Sequence, residues 1–319
     1  MVGSPPMFSV NYLWKCAALA LIAVAAGSLT PYATKAEARE PIPVVVTIPI
    51  LKDLTEQVGG PYVRVTSLLS GYENEHTYSP KPTDLVAVRK ARLLFEVGLG
   101  LEVWVSSLVR NAGSKTLRVV TTSDGVDLIQ DGSDTHEEHH GGDHETKQDG
   151  NPHIWLDPVN ALTMLRHITD ALIEADPTHK AEFVANQTAY QERLGRLQKE
   201  LLDRTQALTD RRFIAHHSAW PYLAKRFGLH IVGTIHIQSG TEPSALHLQS
   251  LIERIRKDNV RVIASEIQLS QRLPDLLSRE TKARVVVLTT MPGGLPGTET
   301  YLDMLRYNVL QLAGALETN

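Results

Sequence analysis

The sequence predicts an α/β protein of two lobes, each with a mainly parallel sheet flanked by helices, joined by one long helix. Three observations predict it. Short β-branched runs alternate with helical stretches through both halves, the rhythm of parallel strands covered on both faces. A long charged stretch with apolar residues at helical spacing separates the halves. A length of 319 residues exceeds one ordinary core and suits two domains of roughly 100 to 150 residues each, plus a leader.

Residues 1–38 read as a secretory signal: Lys15, an apolar run from Cys16 to Leu29, then Ala36-Glu37-Ala38 as a small-x-small cleavage site. The run of about fourteen residues is short of the roughly 20 that span a bilayer. Cleavage near Arg39 is therefore expected. It would remove Cys16, the sole cysteine, which lies at the front of the apolar run and is badly placed to accept a lipid. The mature chain is then expected to carry no lipid anchor, disulfide, thiolate ligand or thiol nucleophile. Any metal it holds must be held by nitrogen and oxygen.

The N-terminal lobe, 39–157, opens with Pro43–Pro49, a β-branched run bounded by prolines that reads as a buried strand. A helix is expected over Ile50–Val58, stopped by Gly59-Gly60, and a strand over Tyr62–Leu69. Thr83–Lys90 (helix), Leu93–Val97 (strand), Glu102–Asn111 (helix) and Leu117–Thr121 (strand) continue the alternation. From Ser133 to Gly150 the chain reads SDTHEEHHGGDHETKQDG, without a large apolar residue to offset the entropy of ordering, and is expected to be a mobile loop.

Residues 158–208 form a helical segment, with helices over Pro158–Ala175 and Pro177–Leu208. Asp176 and Pro177 are a helix-start signal, and Phe183, Tyr190, Leu194, Leu197 and Leu201 keep helical spacing. About 32 residues at 1.5 Å each give roughly 48 Å, enough to bridge two lobes. In the C-terminal lobe, 209–319, strands are expected at Arg212–Ala215, His230–Gly233, Val260–Ala264 and Val285–Leu288. The intervening helices are Ala219–Phe227, Ser244–Asp258 and Pro274–Glu280, with a last one at Thr300–Glu317.

With 32 basic and 36 acidic residues the net charge is -4, which offers no electrostatic footprint for nucleic acid or anionic membrane. The 13 histidines carry more information. His136, His139, His140 and His144 lie in the acidic loop. His76, His153 and His217 each fall where a strand gives way to a loop or helix, the edge at which open α/β sheets bind ligands. Three imidazoles from distant segments could meet in one cleft, and zinc accepts neutral imidazole at about 2.0 to 2.1 Å in four-coordinate sites. His167, His179, His230, His236 and His247 sit on exposed faces or turns. His216 adjoins His217, but neighbours at i and i+1 point in different directions. His136-Glu137-Glu138-His139-His140 matches the zinc-protease pattern H-E-x-x-H. That chemistry needs a buried helix, and the Gly141-Gly142 that follows, with no nearby apolar residue, excludes one.

Four motifs in order carry a family resemblance: His76-Thr77-Tyr78-Ser79-Pro80-Lys81-Pro82-Thr83-Asp84, Asn151-Pro152-His153-Ile154-Trp155-Leu156-Asp157-Pro158, His217-Ser218-Ala219-Trp220-Pro221-Tyr222-Leu223 and Gly240-Thr241-Glu242-Pro243-Ser244. The chain resembles the ZnuA/TroA-type solute-binding proteins of zinc and manganese ABC transporters, from about residue 42 to the C-terminus. The resemblance implies a metal between two lobes, His76, His153 and His217 as ligands, and Glu75 as a carboxylate near the metal. Many members add an aspartate after the last strand, where this chain reads Leu288-Thr289-Thr290-Met291-Pro292. That departure leaves three histidines completed by Glu75 or water, and tilts selection toward zinc over manganese. Asn151 stands where the family usually has Asp. Glu266, just past Val260–Ala264, is a further candidate near the cleft. The loop histidines are similar to a loop of zinc-specific members and would act as weak secondary sites.

The reading is a periplasmic, monomeric, non-enzymatic protein that captures Zn(2+) and delivers it to the membrane permease of a metal ABC transporter. Affinity should fall as pH drops through histidine titration near 6.5. The alternatives are an adhesin or metallochaperone, a manganese-binding protein of the same fold, a module for a larger metal chelate, and a zinc hydrolase, for which only Glu75 or Glu266 could serve as base.

Overall fold

The computed structural model describes residues 1–4, 40–130, 150–237 and 241–317. Apart from its first four residues, the expected leader at 1–38 lies outside the described residues, as do His136, His139, His140 and His144.

Strand β1 (Ile42–Val46) leads into α1 (Pro49–Gly59), β2 (Val63–Ser67), α2 (Pro82–Lys90), β3 (Leu93–Glu96), α3 (Val105–Ala112) and β4 (Arg118–Thr121). The four strands pair in parallel in the order β2-β1-β3-β4. Helices α4 (Pro158–Ala175) and α5 (Lys180–Gln206) follow. The chain then forms β5 (Arg212–His217), α6 (Pro221–Phe227), β6 (His230–His236), α7 (Ala245–Lys257), β7 (Val262–Glu266), α8 (Arg272–Thr281), β8 (Arg284–Leu288) and α9 (Tyr301–Glu317). This second sheet is also parallel, in the order β6-β5-β7-β8. Both sheets thus follow one topology, and each reverses its winding between its first and third strands in sequence. At such a switch point the connections diverge and leave a crevice at the carboxyl ends of the strands.

The two-residue period of the strands explains how the second sheet is covered. Phe213, Ala215, Val262 and Ala264 point into the main core, while Ile214 and Ile263 point into a smaller cluster with Leu251, Ile255 and Leu277. The main core is continuous: it takes Val44 and Phe95 from the first sheet, Leu51, Leu165, Leu194 and Leu312 from α1, α4, α5 and α9, and Phe213 and Leu288 from the second. Helix α5 has 27 residues, about 40 Å at 1.5 Å each, and lies between the lobes. Its first half donates to the first lobe, from Asn186 Nδ2 to Val58 O at 2.9 Å and from Tyr190 Oη to Asp53 Oδ2 at 3.1 Å. Its second half pairs with α9 through Arg204 with Glu317 and Glu200 with Arg306. Exposed pairs of this kind contribute little; the shared core does the joining.

Several boundaries differ from the sequence expectation, two of them with a clear local cause. The long helix opens with a 3-10 turn at Pro177–His179, because Asp176 accepts from Thr178 N–H at 3.2 Å and lies 2.6 Å from His179 Nδ1. Glu102 is not helical. Its carboxylate accepts from Thr47 Oγ1 at 2.6 Å, Val97 N–H at 2.9 Å and Gly98 N–H at 3.0 Å, which holds a turn ahead of α3. Strand β5 runs on to His217, and β7 sits two residues later than expected, so Glu266 ends that strand. Among the described residues no helix is long and apolar enough to cross a membrane.

Candidate metal centre

His76 arrives on the loop after β2. Asn74 Oδ1 accepts the His76 N–H at 2.9 Å, and Asp84, in the first turn of α2, accepts both Lys81 N–H and Tyr78 Oη–H at 2.7 Å. The Pro82 start and the Asp84 carboxylate thus pin the loop to a helix N-terminus. Trp104 Nε1–H donates to Glu75 O at 3.0 Å. His153 precedes a 3-10 turn, Ile154–Leu156. Asp157 then caps α4, accepting from Val159 N–H at 2.8 Å, and takes a two-bond contact from Arg226 at 2.7 and 2.8 Å. Trp155 Nε1–H reaches Thr290 O at 2.7 Å. His217 ends β5 at the switch point beside β7, next to Glu266.

These segments bring four of the expected residues together. His153 Nε2 lies 3.1 Å from His76 Nε2, 3.2 Å from His217 Nε2 and 3.7 Å from Glu75 Oε1. One donor atom from each of Glu75, His76, His153 and His217 falls within 4.8 Å of all the others. Glu75, His153 and His217 are buried and His76 is partly so. A tetrahedron with bonds of 2.0 to 2.1 Å has edges of about 3.3 to 3.4 Å, the scale of these separations.

The partners behind the rings decide which nitrogen is free. His153 Nδ1 is 3.0 Å from Asn151 Oδ1, and His217 Nδ1 is 2.7 Å from the Glu266 carboxylate. Each Nδ1 therefore carries the proton as donor, and each Nε2 presents a lone pair toward the common centre. Lone pairs about 3 Å apart repel unless a cation sits between them. Glu75 Oε1 is buried without a hydrogen-bond partner, the state of a carboxylate oxygen reserved for a ligand.

Burial pushes the Glu75 carboxyl up to about 7, against the opposing pull of His217. It also pushes the His76 imidazole down to about 4, helped by His217, and holds His153 well below its ordinary value, with His217 and His76 adding to the effect. The expected histidine titration near 6.5 is thereby moved downward for these two rings, and Glu75 becomes the group that titrates near neutrality.

Glu266 is not a fourth ligand. Both of its oxygens lie 2.7 Å from His217 Nδ1, and Trp220 Nε1–H donates to it at 2.8 Å, so it stands behind the ring rather than in the centre. Burial opposes its charge, but His217, His216 and Trp220 outweigh burial and keep its pKa below the ordinary value. A charge ending the buried run Val262–Glu266 must be paired, a signal legible in the sequence. His216 points to the other face of β5, its Nδ1 accepting Glu266 N–H at 3.1 Å. His167, His179, His236 and His247 contact Asp124 O, Asp176, Thr241 O and Thr234 O respectively. An open groove lined by Asn74, Thr77, Glu242, Ser270 and Arg272 reaches His217.

Known proteins resemble this arrangement along nearly its whole length. The family described as zinc-uptake complex component A, periplasmic (ZnuA) matches residues 44–315. The high-affinity zinc uptake system protein ZnuA of Bacillus subtilis is 29% identical over 308 residues, covering 95% of this chain and 97% of that protein. The manganese-binding lipoprotein MntA of Halalkalibacterium halodurans is 28% identical over 291 residues, covering 90% and 92%. A crystal structure of ZnuA superimposes with a TM-score of 0.76 at 27% identity, over 87% of this chain and 100% of that one.

Proposed function

Because the chain belongs to the family of zinc-uptake complex component A, whose members are metal-binding solute-binding proteins of ABC transporters and not enzymes, we propose that it captures zinc in the periplasm and delivers it to a membrane permease. The observation that carries this is the convergence of three imidazole nitrogens and one buried carboxylate oxygen within 4.8 Å. In this reading His76, His153, His217 and Glu75 are the four ligands. Imidazole-rich sites favour zinc, whereas manganese prefers oxygen donors. The manganese-binding name of the Halalkalibacterium relative supplies the second reading. Competition between the two ions on residues 39–319 separates them. Zinc is expected to win on the order of 100-fold, in line with the affinity order for divalent ions; equal affinity would sink the zinc assignment.

Among the ligand groups, His76 and His153 are already uncharged at neutral pH, so zinc displaces no proton from them, whereas Glu75 holds one near pH 7 that binding must release. The continuous core between the sheets suits small shifts of the ligand loops on release. Export through the leader at 1–38, without a lipid anchor and as a monomer, belongs to the same proposal.

The histidine-rich segment 133–150 would concentrate zinc near the cleft through weak exchangeable sites at His136, His139, His140 and His144. The described residues on either side of it are held to each other and to Tyr222: Asn151 N–H donates to Ile129 O at 2.8 Å, Ile129 N–H donates to Tyr222 Oη at 3.1 Å, and Tyr222 Oη–H donates to Asn151 O at 2.8 Å. Replacing 133–148 with a short Gly-Ser linker is therefore expected to leave Tm and the tight site unchanged while reducing the number of weakly bound zinc ions. A Tm drop above about 5 °C, roughly 2 to 3 kcal/mol for a chain of this size, would contradict an independent segment.

A further inference from the structure

We propose that Asn151 is a positioning residue of the metal centre, whose single side-chain amide orients His153 and ties the His153 loop to the His217 loop. The inference rests on the four-ligand site proposed above.

Asn151 is fully buried. Its Oδ1 accepts twice from one ligand residue, from the His153 backbone N–H at 3.0 Å and from His153 Nδ1–H at 3.0 Å. Its Nδ2 donates to the carbonyl oxygen of Ser218, the residue directly after ligand His217. The main chain of Asn151 is held too, with its carbonyl accepting from Tyr222 Oη at 2.8 Å and its N–H donating to Ile129 O at 2.8 Å. The amide is therefore fixed at its base and bridges ligand segments 64 residues apart in sequence.

The geometry asks for one acceptor and one donor on the same planar group, which a carboxamide supplies. A carboxylate could accept from His153 but would place a second acceptor against the Ser218 carbonyl. An apolar side chain would leave the His153 Nδ1–H, the His153 N–H and the Ser218 carbonyl without this partner. The ring of His153 would lose both its tautomer lock and its angle, and its Nε2 stands between those of His76 and His217. Partners behind a ligating histidine are worth about 10- to 100-fold in metal affinity.

The test uses residues 39–319 with Asn151→Ala and Asn151→Leu, the second keeping the volume. Zinc affinity is read by chelator competition, site geometry by the visible spectrum of the Co(II)-loaded protein, and folding by the apo Tm. Both variants are expected to bind zinc 10- to 100-fold more weakly and to show shifted Co(II) bands. Affinity within threefold of wild type together with an unshifted Co(II) spectrum overturns the proposal, whatever happens to Tm. In wild-type apo-protein, ¹⁵N NMR is expected to find His153 as the Nδ1–H tautomer; an Nε2–H tautomer overturns it without any variant. If wild type itself binds no zinc tightly, the site reading fails. If wild type binds and the variants match it, only the role of Asn151 fails.

Discussion

Replacing His153 with Ala is expected to lower zinc affinity on the order of 100- to 1,000-fold. Zinc binding by a full set of protein ligands is worth about 10 to 16 kcal/mol, so one of four donors accounts for about 3 to 4 kcal/mol, and each 1.4 kcal/mol is tenfold. His153 is the strongest case because its Nε2 lies 3.1 Å from that of His76 and 3.2 Å from that of His217. Its loss opens the middle of the site. His76→Ala and His217→Ala should follow it closely. His216→Ala is the control: its ring occupies the opposite face of β5 against the Glu266 N–H, and its effect should stay below about tenfold, the lower edge of what a supporting residue contributes. Chelator competition on all four variants decides the matter; wild-type affinity in His153→Ala would remove the site.

Glu75→Gln is expected to move stability and affinity in opposite directions. Burial raises the folded-state pKa of Glu75 to about 7 from 4.5. Between those values the folded protein holds a proton that the unfolded chain has released, so this group's contribution is most favourable below pH 4.5 and declines as pH rises to 7. At one pKa unit per 1.36 kcal/mol, the neutral apo-protein carries a penalty of about 3 kcal/mol. Glutamine carries none. The apo variant should therefore be more stable than wild type at pH 7.5 and lose that advantage toward pH 4.5. His76 runs the other way: with a folded pKa of about 4 against 6.5, it costs stability as pH falls from 6.5 to 4, and that trend should remain in the variant. Zinc binding should weaken about 100-fold with the loss of an anionic donor. Wild-type affinity should also drop about tenfold per pH unit below 7, where zinc must displace the Glu75 proton, and the variant should show a flatter slope. Denaturation and zinc titration across this range test both halves; identical stability profiles for the two proteins would contradict a buried, strained carboxylate at position 75.

Much of the architecture could be read without coordinates. Every strand and α-helix that frames the site was legible in the sequence, and the misses were the 3-10 turn Ile154–Leu156 and element boundaries, some of them set where a side chain captured a backbone group. Glu102 shows why: its carboxylate is occupied by Thr47 and by the N–H groups of Val97 and Gly98, partners that helical propensity cannot reveal. Glu266 is the corresponding case in the site. Its place just after a strand made it a candidate near the cleft, and with β7 lying two residues later than expected it ends that strand, behind His217. Asn151 departs from the motif in sequence, and in the structure its amide bonds both His153 and the residue after His217.

What the sequence determined alone was a matter of composition and local pattern: parallel sheets in two halves, a long helix between them, and histidines and carboxylates as the donors a metal site would draw on, the sole cysteine lying far from them at position 16. Tertiary structure decided which of these donors meet and in what state. His76 and His153 are 77 residues apart and His153 and His217 are 64. Their convergence depends on the loop after β2 and the segment leading into α4 meeting at the end of β5. Their tautomers depend on what stands behind each ring, and their protonation on how much water the fold excludes; these are through-space quantities that no window of sequence contains.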